Sequence, residues 1–386
     1  MATSHLQDKS LLLLILDITP SVWFHRSGLR NFQDQKYFPK SKGPAKLEEI
    51  LQSVQSFLLA FAALHRENSL VVIGVAGDEV GVIFPRKGVG MDRMVNLDNK
   101  SGKIDPESLC ICLTLGVAEL VQRSSARVSR FKEEVELKIS KQEDVSTLLK
   151  SDDGGGGSAI TAATSLALCL INRFMVAANS GVSALKSENN NFQKNEDEGV
   201  LAMIAGNSSS GKKAHAKAAE AKLEQRLARG MLSPRILIMQ ASTDRTRDYN
   251  SFMNCAFAAK KGDIVIDGCF IPAKGGKESK ETSAFLEQAC DKTGGIFINP
   301  VAPLQINGAF LEVMMTVLLP PLSIRKYLNL PKLNEVDFRA RCFETGESLE
   351  QGHVCNQCLS IFKNCPKKCC LTCGASIKKH NQVRTC

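Results

Sequence analysis

Five short apolar runs set the frame for this chain: Leu11 to Leu16, Leu70 to Val75, Ile236 to Met239, Ile264 to Phe270 and Gly295 to Ile298. Each is too short for a helix and rich in Leu, Ile or Val, as a strand buried on both faces must be. Helical patterns fill the spaces between them. From Lys46 to His65 the apolar residues Leu47, Ile50, Leu51, Val54, Leu58 and Phe61 are spaced to line one helix face. Ala159 to Val176 and Tyr249 to Ala259 repeat that spacing, and Leu304 to Leu319 reads as a closing helix stopped by Pro320 and Pro321. Short strands alternating with helices predict an α/β fold, with a mostly parallel sheet covered by helices on both faces. Two stretches, 85–104 and 181–234, are rich in Gly, Asn, Ser, Lys and Glu and read as surface insertions. Within the second, Lys212 to Ala228 has the composition of a solvated helix. No internal repeat is evident.

The chain has 386 residues, 44% of them hydrophobic, enough for one large domain and a small appendage. Its net charge of +9 is the small difference between 49 basic and 40 acidic residues, too little to demand a nucleic-acid partner. Basic residues gather at Lys212 and Lys213 and again at Lys363, Lys367, Lys368, Lys378, Lys379 and Arg384, where solvated surface is the plainer reading. Of 14 cysteines, six (110, 112, 169, 255, 269 and 290) lie in apolar surroundings and are expected to be buried, unreactive thiols. The run Leu11 to Leu16 ends in Asp17 with no cleavage-type segment after it, so a reducing compartment is expected. No apolar run approaches the roughly 20 residues needed to span a bilayer, so no membrane partner is expected.

The other eight cysteines crowd the last 45 residues. Cys355-Asn-Gln-Cys358 and Cys370-Leu-Thr-Cys373 are two C-x-x-C pairs separated by eleven residues. In each, the turn between the cysteines points both sulfurs inward, and two such pairs complete a tetrahedral zinc site. Gly374, after the second pair, lets the backbone turn and offer amides to sulfur. So short a segment buries little apolar area, and zinc binding, about 10–16 kcal/mol in finger peptides, is expected to stabilise it. Cys342, Cys365 and Cys369 are rival ligands, and His353 also lies within reach. A second metal is not favoured, because Cys365-x-x-x-Cys369 and a lone Cys342 lack knuckle spacing.

Asp17-Ile-Thr19-Pro-Ser21 directly follows the first strand and matches a D-x-S-x-S pattern with Thr for the first Ser. Its oxygens would suit a hard ion such as Mg²⁺ at the end of a parallel strand. This constellation and the strand order resemble the von Willebrand factor A fold. The stretch from Leu286 through Thr293-Gly294-Gly295 to Phe297 is similar to that fold's last helix-to-strand turn. Ala159, with Ser158 and Thr161 beside it, falls where the fold offers a Thr ligand, and Gln240-Ala241 where it offers an Asp. The ion site therefore reads as degenerate, with Asp17 and Thr19 capping the following segment instead. Gly206-Asn-Ser-Ser-Ser-Gly211-Lys212-Lys213 falls one residue short of a phosphate loop, since Lys213 stands where Ser or Thr would hold Mg²⁺.

Val336-Asp-Phe-Arg-Ala-Arg-Cys-Phe343 and His353-Val-Cys-Asn-Gln-Cys-Leu-Ser-Ile-Phe362, after an A-type domain, resemble the general transcription factor IIH subunit 3 family. Asn250 to Ala259, Asp263 to Cys269 and Ala167 to Arg173 add to the likeness. The sequence departs from the family at Glu344 and Lys363, where the family has cysteines. The resemblance implies an A-like domain over 1–325, a linker over 326–341 and a four-cysteine zinc-finger module over 342–386. It further implies a nuclear, non-catalytic core subunit acting in RNA polymerase II transcription initiation and nucleotide excision repair. Such a subunit docks the larger A-domain and zinc-binding subunit, touches the helicase only through it, and leaves scope for a weak contact between the module's lysines and DNA. The competing readings are a nucleotide-dependent enzyme using Gly211 and Lys212, and a stand-alone nucleic-acid-binding zinc protein.

Overall fold

The computed structural model describes residues 9–24, 46–65, 67–85, 106–140, 159–184, 233–272, 282–299, 309–331, 336, 339–345, 347–366 and 369–376. The phosphate-loop-like stretch, the helix expected at 212–228, and Ser158 lie outside them. So do Lys212, Lys213, Lys367, Lys368, Lys378, Lys379 and Arg384.

All five apolar runs are strands of one sheet. They are β1 (Ser10–Asp17), β2 (Ser69–Ala76), β4 (Ser233–Gln240), β5 (Val265–Phe270) and β6 (Phe297–Ile298). A sixth strand, β3 (Glu79–Phe84), escaped the sequence reading. The order is β3-β2-β1-β4-β5-β6, parallel throughout except for β3, which runs antiparallel along β2. An open sheet with β1 central and one antiparallel edge is the von Willebrand factor A topology. β1 is buried along its whole length, and its residues alternate between two cores.

Leu12, Leu14 and Leu16 face α1 (Leu47–Leu64), α2 (Pro106–Ser140) and α6 (Ala309–Val313), the last of which runs into a π-helical turn over Met314–Leu318. Leu11, Leu13 and Ile15 face α3 (Ile160–Ala184), α4 (Tyr249–Lys261) and α5 (Ala284–Thr293). α3 continues through Ala184 and β4 begins at Ser233, so both margins of the expected 181–234 insertion belong to regular elements.

By length and composition alone, α1 and the stretch Pro106–Glu134 could cross a membrane, which the sequence reading had not foreseen. Each instead lays a stripe on the sheet. Ile50, Val54, Phe57, Leu58 and Phe61 are buried from α1, and Leu109, Cys112, Leu113, Val117 and Leu120 from α2. Not all six scattered cysteines are core thiols. Cys112, Cys269 and Cys290 are buried, Cys110 and Cys255 are half-buried, and Cys169 is exposed. Burial alone pushes the Cys269 thiol up to about 12.

At β4 and β5 the core holds charge. Asp267 is buried and takes a two-pronged ion pair from Arg325 of α7 (Leu322–Arg325), at 2.8 and 2.7 Å. Arg235 is also buried. It donates to the carbonyls of Leu318, Leu319 and Pro320 at 2.7, 3.2 and 3.3 Å and comes within 4.0 Å of Asp267. Burial alone would raise the Asp267 pKa, but the two guanidinium groups and the Ile296 amide hold it below the usual carboxylate range. Burial, with Arg325 adding to it, lowers Arg235 to about 10.

After α7, short antiparallel pairs build the C-terminal module. β7 (Ala340–Arg341) pairs with β8 (Ser348–Leu349), and β9 (His353–Val354) with β10 (Ile361–Phe362). Cys369 bridges Ser376 in the same antiparallel sense.

Candidate metal centre

Three turns in this module share one hydrogen bond. The amides of Cys342, Cys355 and Cys370 donate to the carbonyls of Glu347, Ser360 and Ala375, at 2.9, 2.9 and 2.8 Å. In the second and third turns a further bond closes the loop, from the Leu359 amide to the Cys355 carbonyl and from the Gly374 amide to the Cys370 carbonyl, each 2.9 Å. The repeat not evident in the sequence is therefore present in the backbone. Only the second and third turns carry a second cysteine three residues on; the first has Thr345 there.

The second and third turns converge. The sulfurs of Cys355, Cys358, Cys370 and Cys373 all lie within 4.8 Å of one another, and Phe362, Phe343 and Ala375 pack beside them. Cys355 and Cys373 sulfurs are 3.8 Å apart, and those of Cys358 and Cys370 are 3.6 Å apart. Four sulfurs about 2.3 Å from a central zinc stand about 3.8 Å from each other along the edges of a tetrahedron. The spacing and the all-thiol donor set both fit zinc.

The four sulfurs are electrostatically uneven. Burial opposes the Cys358 thiolate, yet the Ser360 hydroxyl and amide outweigh it and lower the thiol to about 6. At Cys373 the Ala375 amide favours the thiolate, but burial and the neighbouring sulfurs of Cys358, Cys370 and Cys355 push it up to about 12. Negative charge at one sulfur thus opposes negative charge at the next, and a divalent ion at the centre would remove that conflict.

The rival ligands stand apart from this group. Cys342 is buried in the first turn, where the Lys363 amide donates to its sulfur at 3.4 Å. Burial works against its thiolate, but the Thr345 hydroxyl and the amides of Lys363, Thr345 and Glu344 lower its pKa. Lys363 pairs through its ammonium with Glu347 at 2.8 Å. Cys369 is exposed, and Cys365 is disulfide-bonded.

At the carboxyl end of β1, Asp17 and Thr19 come together while Ser21 is exposed and takes no part. The Asp17 carboxylate is buried. One oxygen accepts from the Thr19 amide and hydroxyl at 3.1 and 2.6 Å. The other accepts from the amides of Ala241 and Ser242 at 3.1 and 2.8 Å and from the Ser242 hydroxyl at 2.5 Å. The Thr19 hydroxyl in turn accepts from the Gly77 amide at 3.1 Å. Protein donors fill the positions a cation would take, so the residues present do not fit Mg²⁺.

Ser242 was missed by the sequence reading, which weighed only Gln240 and Ala241 after β4. Asp244, close by, is committed to α5. It accepts from the Ser283 hydroxyl at 2.5 Å, the Phe285 amide at 3.2 Å and the Gln240 side chain at 2.9 Å. The cavity at this end of the sheet, lined by Gln240, Asp244, Arg245 and Phe252 among others, has a volume of about 20 Å³, the size of a single water.

The family described as "Transcription factor Tfb4" matches residues 9–374, a span that takes in both the sheet and the three turns. The general transcription and DNA repair factor IIH subunit tfb4 of Schizosaccharomyces pombe is 28% identical over 364 residues, 94% of this chain and 87% of that protein. The corresponding subunit of Arabidopsis thaliana is 39% identical over 142 residues, 37% of this chain and 43% of that protein. General transcription factor IIH subunit 3 of Dictyostelium discoideum is 36% identical over 153 residues, 40% of this chain and 38% of that protein. A match running from the first strand to the last knuckle leaves one conclusion: this chain belongs to the Tfb4 family of transcription factors.

Proposed function

We propose that this protein is a non-catalytic core subunit of general transcription and DNA repair factor IIH, acting in transcription initiation and nucleotide excision repair in the nucleus. The observation that carries the reading is the family match over residues 9–374, because it joins the A-type sheet and the cysteine module in one chain. The α/β domain docks the larger subunit of similar A-domain and zinc architecture, and the helicase is reached only through that subunit. Asp17 supports a permanent contact over a switched one. With five donors on its two oxygens, it leaves no open position through which an ion could gate binding.

In the same reading one zinc ion is held by Cys355, Cys358, Cys370 and Cys373, and it supplies the folding energy of the module. Zinc there is structural: a closed four-thiolate shell has no position for substrate.

Affinity purification of the tagged full-length chain tests the first claim. The other core subunits should co-purify in constant proportion, and their absence would overturn it. Metal analysis of the same preparation tests the second. One zinc per chain is expected, lost in Cys370→Ser and retained in Cys369→Ser.

A further inference from the structure

The longest described helix outruns the sheet it packs on. α2 climbs along β3 and β2 toward the carboxyl ends of the parallel strands: a Cβ on Gly116 would meet Ile83, and Ser124 Oγ stands 3.6 Å from where a Cβ on Gly77 would be. Arg127 reaches Glu79 at 3.1 Å, level with the turn between β2 and β3. Residues 128–140 follow, and at 1.5 Å per residue they carry the helix about 20 Å past that turn.

The stripe that packs on the sheet continues along this free end. Leu113, Val117, Leu120 and Ser124 are buried at intervals of three and four residues. Val128 and Phe131 come next at the same spacing. Val128 is nonetheless 52% exposed, and beyond Arg127 every described side chain except the half-buried Phe131 is exposed. A helix end of this length draws its stability from packing of an apolar face more than from propensity. The charges say what packs there. From Arg123 to Lys132 the helix has four basic residues and no acidic one, and from Glu133 to Glu136 three acidic residues and no basic one. Lys132 and Glu136, one turn apart beside the stripe, take part in no ion pair among the described residues. The carboxyl end of the sheet itself offers only the water-sized cavity beside Gln240 and Asp244, so a partner is held alongside it.

We propose that the free end of α2 is a docking post for a helix of another subunit of the same factor. That helix lays apolar side chains on Val128 and Phe131, with its carboxylates toward the sheet and its cations toward the tip of the post. The inference rests on the function proposed above and adds the surface and the chemistry of the partner. A second copy of this chain, running in the opposite sense, would satisfy the same charges. However, a footprint about 20 Å long and about 10 Å wide falls short of the roughly 800 Å² per partner that a stable complex needs, so the post works only within a wider contact.

The test uses the full-length chain, alone and co-expressed with the other core subunits of factor IIH. In the first variant, Val128→Gln and Phe131→Gln remove the apolar stripe. In the second, Lys132→Glu and Glu136→Lys exchange its flanking charges and leave the net charge unchanged. Both should keep the wild-type unfolding midpoint in the isolated chain, yet bind the remaining subunits about tenfold more weakly or worse. The second should lose most of its deficit at about 1 M salt, where charges are screened within about 3 Å. A photo-reactive phenylalanine derivative at position 128 should cross-link, in the assembled factor, to a helical segment of another subunit.

Wild-type assembly by the first variant would sink the inference while leaving the proposed function standing. So would a lowered unfolding midpoint in that variant, which would mean that the chain covers its own stripe, or a cross-link to the same chain, to a second copy or to nucleic acid. A deficit of the second variant that ignores salt, or no deficit at all, would overturn the charge pattern assigned to the partner. Failure of the wild-type chain to assemble would overturn both readings.

Discussion

Asp17 and Asp267 are both buried carboxylates on parallel strands, and they are satisfied in different ways. Asp17 is neutralised by dipoles alone, through two hydroxyls and three amides. Asn in its place would turn an amide group toward those donors, so Asp17→Asn should lower stability by about 1–3 kcal/mol in denaturant titration. Adding millimolar Mg²⁺ should leave the wild-type unfolding midpoint unchanged. Asp267 answers to two guanidinium groups, and removing its charge strands both. Asp267→Asn should destabilise by about 3–5 kcal/mol, measured in the same way.

The pH dependence follows from the sign of the Asp267 shift, which is downward. Its contribution is present above the ordinary aspartate value of about 3.9 and disappears as pH falls through the lower folded-state value. Unfolding midpoints followed by circular dichroism below pH 4 should therefore fall more steeply for wild type than for Asp267→Asn. The capping by Asp17 was readable from sequence, the pairing of Asp267 was not. An aspartate within an apolar strand announces that it has a partner, but the partner, Arg325, lies 58 residues further on.

Among the elements, the tightest constraint is the turn from α5 into β6. Gly294 caps the helix at φ 75°, and a Cβ on Gly295 would fall 1.9 Å from the Ile266 carbonyl oxygen. The obstacle is backbone in the neighbouring strand and cannot rotate away. Gly295→Ala should lower stability by about 3 kcal/mol or more, or abolish soluble expression, while Gly294→Asn should be tolerated far better.

This turn was legible as a Thr-Gly-Gly sequence, and so were the buried strands, because apolar runs of that length admit few alternatives. β3 was not. Glu79-Val-Gly-Val-Ile-Phe84 is short, lies at the sheet edge and follows β2 by a two-residue turn, so it reads as the tail of the preceding run. α2 was missed for a different reason. Its first half is apolar enough for the core, while its second half, from Arg123 onward, is charged and mostly exposed, so no single period spans its 35 residues. The sequence pattern separates helices that lie flat on a sheet from loops better than it separates them from helices that overhang it.

For the whole molecule, the four-thiol cluster was the most legible part of the site, since ligand spacing is set by local turn geometry and survives without tertiary knowledge. The first turn was hidden because Thr345 breaks the cysteine pattern while the backbone keeps the fold. The separate fate of Ser21 was equally hidden, because a motif names neighbours in sequence and only packing decides which of them face one another.

The buried pair between Asp267 and Arg325 also fixes where the α/β unit may be cut. A fragment ending at Pro320 would keep every strand of the six-stranded sheet and every large helix, yet it would lack the only two-pronged partner that Asp267 has among the described residues. A fragment ending at Pro331 keeps it. The shorter fragment should unfold at a lower denaturant concentration, by about 3 kcal/mol or more of stability, with the difference shrinking in Asp267→Asn versions of both. The stable end of the α/β unit is thus set by a salt link rather than by the last turn of helix.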